Sequence, residues 1–148
     1  MRALGARLAG ALRAANLAEP LVLGLSGDLG AGKTTLVGGF LAALGHDGSA
    51  RSPTYTLIEP YRLAGRDLYH CDLYRLRDPS ELDDLGLRDL LVGPSVLLVE
   101  WPERAGGRLR EPDLGLHIEY SGEGRSLSLV PASDAGRRLV AGLGLDPA

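Results

Sequence analysis

Cysteine is almost missing from this chain: Cys71 alone excludes an internal disulfide framework and fits a reducing compartment. Long apolar runs are missing too. None approaches the roughly 20 residues of a membrane-spanning helix, and no N-terminal apolar core with a small-residue cleavage site marks a signal peptide. A cytoplasmic protein without membrane contact is therefore expected. There is no basic excess either, since the net charge is −3 and the isoelectric point is near 5.6. A protein that neutralises many phosphates by itself would be basic, so any nucleic acid is expected to be held mainly by a partner. The scarcest type that matters is lysine. Of 16 basic Lys+Arg positions, only Lys33 is lysine.

That lysine falls inside Gly27-Asp28-Leu29-Gly30-Ala31-Gly32-Lys33-Thr34, which matches the pattern G-x-x-x-x-G-K-[ST] at every fixed position. Placed at random among the 16 basic positions, a single lysine would land there about one time in sixteen. Phosphate chemistry supplies a better reason, because the loop needs a slender point charge that reaches the β- and γ-phosphates. The glycines allow backbone N–H groups to converge on an anion, and the helix that follows aims its N-terminal dipole at it. Gly30, Ala31, Gly32, Lys33, Thr34 and Thr35 are the expected phosphate contacts, with the Thr34 hydroxyl a magnesium ligand. A nucleoside triphosphate and Mg²⁺ are thus the expected ligands.

The surrounding pattern is that of an α/β protein. Leu4, Leu8 and Leu12 recur every four residues and predict a helix over residues 2–15, ending near Asn16. The run at residues 21–26 reads as a buried strand, and residues 34–44 as a helix with Gly45 as its cap. Residues 55–63 and 66–73 flank Ala64-Gly65 as a hairpin. Asp78-Pro79-Ser80-Glu81 starts a short helix through Leu85, and another is expected over residues 87–92. Residues 96–99 form a second buried strand that runs into Glu100. Strands around Leu116-His117-Ile118-Glu119-Tyr120 and residues 126–130 flank Gly122-Glu123-Gly124, and Ser133 opens a last helix. With no repeat or linker, residues 1–148 read as one P-loop domain with a mixed β-sheet flanked by helices.

A P-loop needs an acidic partner for its metal, usually at the end of a neighbouring buried strand. Two residues qualify, Glu100 and Asp72, and each could instead be a strand-end carboxylate facing water. Thr54, within Ser52-Pro53-Thr54-Tyr55-Thr56, is either a hydroxyl that senses the γ-phosphate or part of an ordinary turn. Trp101 is either a core aromatic or a lid near the nucleotide, and Tyr74-Arg75 could orient Asp72. Arg104, Arg108 and Arg110 form a loose basic cluster. His70 and Cys71 are adjacent and face opposite sides of a strand, so they make a poor metal pair.

Taken together, GDLGAGKTT (residues 27–35), SPTYT (52–56), HCDLYRL (70–76), ELDDLG (81–86) and EWPE (100–103) resemble, in order and spacing, the bacterial tRNA threonylcarbamoyladenosine biosynthesis ATPase family, TsaE. The likeness runs over residues 21–101 and is weaker beyond. It implies a small, slow Mg-dependent ATPase that acts with the TsaD–TsaB transferase on the adenosine beside the anticodon, touching tRNA indirectly. By position it implies that Lys33 binds phosphate, that Thr34 and Glu100 hold the metal, that Asp72 is needed for hydrolysis and that Thr54 lies in a switch-like motif. Cys71 stands where the family usually has Phe, a difference of packing. Two other readings share the P-loop: a small-molecule or nucleotide kinase, which needs an acceptor pocket and an arginine-bearing lid, and an interaction module that binds nucleotide without hydrolysing it.

Overall fold

The computed structural model describes residues 1–48 and 57–144. The chain opens with α1 (Arg2–Ala15), which stops where Asn16 takes a left-handed conformation and its N–H returns to the Leu12 carbonyl. There follow β1 (Leu21–Gly27), α2 (Lys33–Ala43), and the hairpin of β2 (Ile58–Leu63) and β3 (Arg66–Asp72). Ala64 and Gly65 turn this hairpin with φ of 52° and 74°, the two positive values that a tight two-residue turn requires. After β3 come a 3₁₀ helix (Pro79–Leu85) and the short α3 (Leu87–Leu90). Then follow β4 (Val96–Glu100), β5 (Leu114–Ser121), β6 (Gly124–Pro131) and α4 (Asp134–Gly142).

These strands form one six-stranded sheet in the order β2-β3-β4-β1-β5-β6. The four central strands are parallel, and β2 and β6 close the two sides as antiparallel hairpin arms. The mixed sheet expected from the sequence is therefore present. The helix starting at Asp78 is present as well, but as 3₁₀ structure. Its capping box is complete: the Asp78 side chain accepts from Ser80 N–H, and Glu81 reaches back to the N-cap backbone. Gly45 lies one position beyond the α2 cap, which is Leu44.

Period-two alternation sends the strands' side chains to two cores. Leu21, Leu23, Leu25, Leu68, Val96, Leu98, Leu114, Leu116 and Ile118 meet α1, α2 and α4 on one face, with Phe40 and Leu36 fully buried. Val22, Cys71, Leu97 and Val99 meet Leu76, Leu82 and Ala105 on the other, under the 3₁₀ segments. Cys71 packs there as a small hydrophobe, and burial, with the Asp72 and Glu100 charges nearby, pushes its thiol up to about 12. Among the described residues no helix is long and apolar enough to cross a membrane. The parallel strands β3, β4 and β1 end side by side, and their carboxyl ends gather the chemistry.

Candidate nucleotide-binding site

The loop between β1 and α2 is the phosphate motif, so a buried parallel strand enters it and a helix N-terminus leaves it. Gly30 and Gly32 have φ of 81° and 115°, values at which a side chain would strain the backbone. Lys33 is 4% exposed, and its ammonium donates to the Gly27 carbonyl at 2.5 Å and the Asp28 carbonyl at 2.9 Å. Burial lowers its pKa from the ordinary 10.5, against the support of the nearby Glu100, Asp72, Glu103 and Asp28 charges. Thr34 follows on the first turn of α2, and Thr35 is exposed beside it.

Strand register delivers the acidic side. β4 lies beside β1 in parallel with Leu25 opposite Glu100, and β3 lies beside β4 with Asp72 opposite Glu100. Glu100 is 2% exposed, and the Thr34 hydroxyl donates to its carboxylate, at 2.9 and 3.0 Å from the two oxygens. His70, fully buried on β3, donates from Nε2 to Glu100 Oε2 at 2.6 Å. A carboxylate can only accept, so this bond puts a ring hydrogen on Nε2. Nδ1 has no partner among the described residues. Asp72 is half-buried and turned by the chain that follows, its Oδ1 accepting the Tyr74 N–H at 3.0 Å.

The oxygens of Thr34 and Glu100 fit magnesium, which takes oxygen ligands. Among the described residues no group of three or more His, Cys, Asp and Glu could cage an ion alone.

Trp101 turns out to be on the site side. It adopts φ 61°, which is strained for an aromatic residue, and its ring lies 4.3 Å from Lys33 Nζ. Tyr74 packs on the same ring at 5.2 Å, and the Arg104 guanidinium lies over it at 5.3 Å while donating to the Tyr74 carbonyl. The three loop arginines are not a cluster: Arg108 pairs with Asp83, and Arg110 with Asp113. Tyr74 thus positions Asp72 through its backbone. Thr54 and the segment around it lie outside the described residues.

Three residues at this site escape sequence reasoning. Spacing makes His70 a poor metal ligand, yet it serves the carboxylate next to it. Tyr120 and Arg125, on the β5–β6 hairpin, donate to the phosphate loop at the Gly30 carbonyl (2.8 Å) and the Ala31 carbonyl (3.1 Å). Their signal is present in part, since both sit at the end of a hairpin whose turn is legible. What the sequence does not carry is that β5 pairs with β1, which swings the hairpin tip over the loop.

Comparison with known proteins places the chain in a family. The family model for threonylcarbamoyl adenosine biosynthesis protein TsaE matches residues 1–127. The tRNA threonylcarbamoyladenosine biosynthesis protein TsaE of Haemophilus influenzae is 41% identical over 140 residues, covering 95% of this chain and 89% of that protein. The protein of the same name from Streptomyces coelicolor is 43% identical over 122 residues, covering 80% and 78%. The crystal structure of YdiB from Bacillus subtilis superimposes with a TM-score of 0.73 at 31% identity, covering 94% of this chain and 86% of that one. With a phosphate loop, a buried carboxylate and relatives of this kind, the chain belongs to the TsaE family of threonylcarbamoyl adenosine biosynthesis proteins.

Proposed function

We propose that this protein is the Mg-dependent, slowly hydrolysing ATPase of tRNA threonylcarbamoylation, working in the cytoplasm on a TsaD–TsaB transferase pair. One observation carries the reading: the Thr34 hydroxyl and the buried Glu100 carboxylate meet at 2.9 Å, beside the only lysine of the chain. Lys33 and the N–H groups of residues 30–35 receive the β- and γ-phosphates. Thr34 and Glu100 would hold magnesium, which supplies charge neutralisation on the phosphoryl oxygens. His70 fixes the direction of the Glu100 carboxylate. Asp72, directly opposite Glu100 in the β3–β4 register, is the carboxylate left to orient the attacking water. Thr54 is proposed to answer to the γ-phosphate.

Arg104, which shares the Trp101 ring with Lys33, is already bonded to the Tyr74 carbonyl and does not serve the phosphates from there. Slow turnover by the isolated chain follows, because charge on the departing phosphate is incompletely matched. An acidic chain of net charge −3 favours contact with tRNA through the partner pair rather than directly.

The test is phosphate release from ATP, with and without the TsaD–TsaB pair and with and without Mg²⁺. Release should need magnesium and rise with the pair. Lys33→Ala should lose nucleotide binding, Glu100→Gln should keep nucleotide and lose hydrolysis, and Asp72→Ala should slow hydrolysis by about 10²-fold. No release in any condition refutes the catalytic reading, and phosphate appearing on a small acceptor instead would favour a kinase.

A further inference from the structure

The phosphate loop has two peptide units set between glycines. They lie on either side of Ala31, between Gly30 at φ 81° and Gly32 at φ 115°. Glycine on both sides gives these units more rotational freedom than other residues would, and ordering them on binding costs entropy. Both of their carbonyls are held from outside the loop. The Tyr120 hydroxyl donates to the Gly30 carbonyl at 2.8 Å, and Arg125 Nε donates to the Ala31 carbonyl at 3.1 Å.

The two donors are themselves coupled. Tyr120 and Arg125 are opposite one another in the β5–β6 ladder, and the guanidinium lies 4.2 Å above the phenol ring. β5 pairs with β1 through Gly27 opposite Ile118, so Tyr120 overhangs the end of β1, where the loop begins. Because a trans peptide is planar, its N–H points away from its C=O. Holding the two carbonyls toward the hairpin therefore turns the N–H groups of Ala31 and Gly32 away from it. The Ala31 N–H accordingly meets the Asp28 carbonyl at 3.0 Å, inside the loop.

We infer that Tyr120 and Arg125 are positioning residues for nucleotide: a brace outside the phosphate loop that pre-orders its peptide planes and so sets its affinity for phosphate groups. The inference rests on the nucleotide-binding reading above and adds to it two residues some 90 positions downstream of the loop. A brace on the nest acts on phosphate alone, whatever base is attached. Its removal weakens ATP, ADP and inorganic tripolyphosphate by the same factor.

Calorimetric titration of the wild type, Lys33→Ala, Tyr120→Phe, Arg125→Ala and Arg125→Lys with those three ligands and Mg²⁺ tests it. Tyr120→Phe, which removes one hydroxyl from a residue that is 51% exposed, should weaken all three about fivefold. Arg125→Ala should weaken them about tenfold, and Arg125→Lys, which keeps a donor, should recover part of the loss. The fraction of folded protein, read from urea unfolding of each unliganded variant, should stay as in the wild type. If the wild type binds and Lys33→Ala does not, while Tyr120→Phe and Arg125→Ala stay within about twofold of the wild type, the brace is refuted and the nucleotide reading stands. Affinity lost only in proportion to unfolded protein refutes it as well. A wild type that binds none of the three ligands overturns both.

Discussion

Lys33 holds two places at once. Its ammonium closes the loop on the Gly27 and Asp28 carbonyls, and it faces the indole of Trp101 at 4.3 Å. A cation over an aromatic face within about 6 Å is attracted to the ring quadrupole, and a phosphate that draws the ammonium away removes that contact. Trp101 is the single tryptophan of the chain, so its emission reports this one event. Saturating ATP with Mg²⁺ should change the intrinsic fluorescence, and Lys33→Ala should abolish the change. Unaltered emission while equilibrium dialysis registers bound ATP would exclude the contact as a reporter. The position of Trp101 has a local cause. Its left-handed φ of 61°, just before the 3₁₀ turn at Pro102, takes the side chain out of the alternation of β4. The sequence offers core or lid for this residue, and the structure has it half-buried, packed against the second core while its ring faces Lys33.

At the scale of elements, α1 shows how one helix carries two kinds of glycine. Gly5 is buried, and a Cβ there would meet the Leu36 carbonyl oxygen at 2.1 Å and Phe40 N at 2.7 Å, both backbone atoms of α2. Gly39 of α2 returns the contact against the Arg2 backbone. The two helices can come this close only because neither has a side chain at its crossing point. Gly10, exposed on the same helix, has nothing within 4 Å of the place a Cβ would take. Gly10→Ala should therefore stabilise the protein by about 0.5–1 kcal/mol, the ordinary helix-propensity gain. Gly5→Ala should destabilise it by about 2–4 kcal/mol through forced separation of α1 from α2. Urea unfolding of the two variants checks the pair, and equal effects would contradict the packing. The helix itself is legible in the four-residue spacing of Leu4, Leu8 and Leu12, as are β1, β4 and the loop between β1 and α2. Which glycine touches a neighbour is not legible, because that depends on how two amphipathic faces dock. The same holds for Tyr120 and Arg125, whose partners lie about 90 residues away and are met only through the β1–β5 pairing. His70 becomes legible as a functional residue only once β3 pairs with β4, which sets it opposite Leu98 and within reach of Glu100 two positions on.

The molecule as a whole divides its work between the two ends of the parallel strands. The carboxyl ends hold Lys33, Thr34, Asp72 and Glu100, while the amino ends are tied together by Asp113. Asp113 is 7% exposed, and its Oδ2 accepts the Val22 N–H at 2.8 Å and an Arg110 N–H at 2.9 Å. Its backbone N–H donates to the Val22 carbonyl, and its carbonyl accepts from Ala132 N–H. One residue thus joins the start of β1, the approach to β5 and the segment entering α4. Burial works to raise its pKa, but the Val22 N–H, Arg110 and Ser133 outweigh it and hold the carboxyl below its ordinary 3.8. A carboxyl depressed in the folded state adds stability that is present above its unfolded value and is lost as pH falls through the folded one. Asp113→Ala should therefore cost about 3 kcal/mol near pH 7, from a lost charged bond and an unsatisfied Val22 N–H. The gap to the wild type should narrow as the pH falls below 3.8. Because this tie lies at the far end of β1 from the phosphate loop, the folded variant should bind ATP with wild-type affinity at temperatures well below its unfolding midpoint. Lys33→Ala should do the reverse, losing ATP while keeping the acid limb of the stability curve. Urea unfolding across pH, paired with ATP titration of both variants, reads the two effects separately. A loss of ATP affinity in folded Asp113→Ala would mean that the two ends of the sheet are coupled.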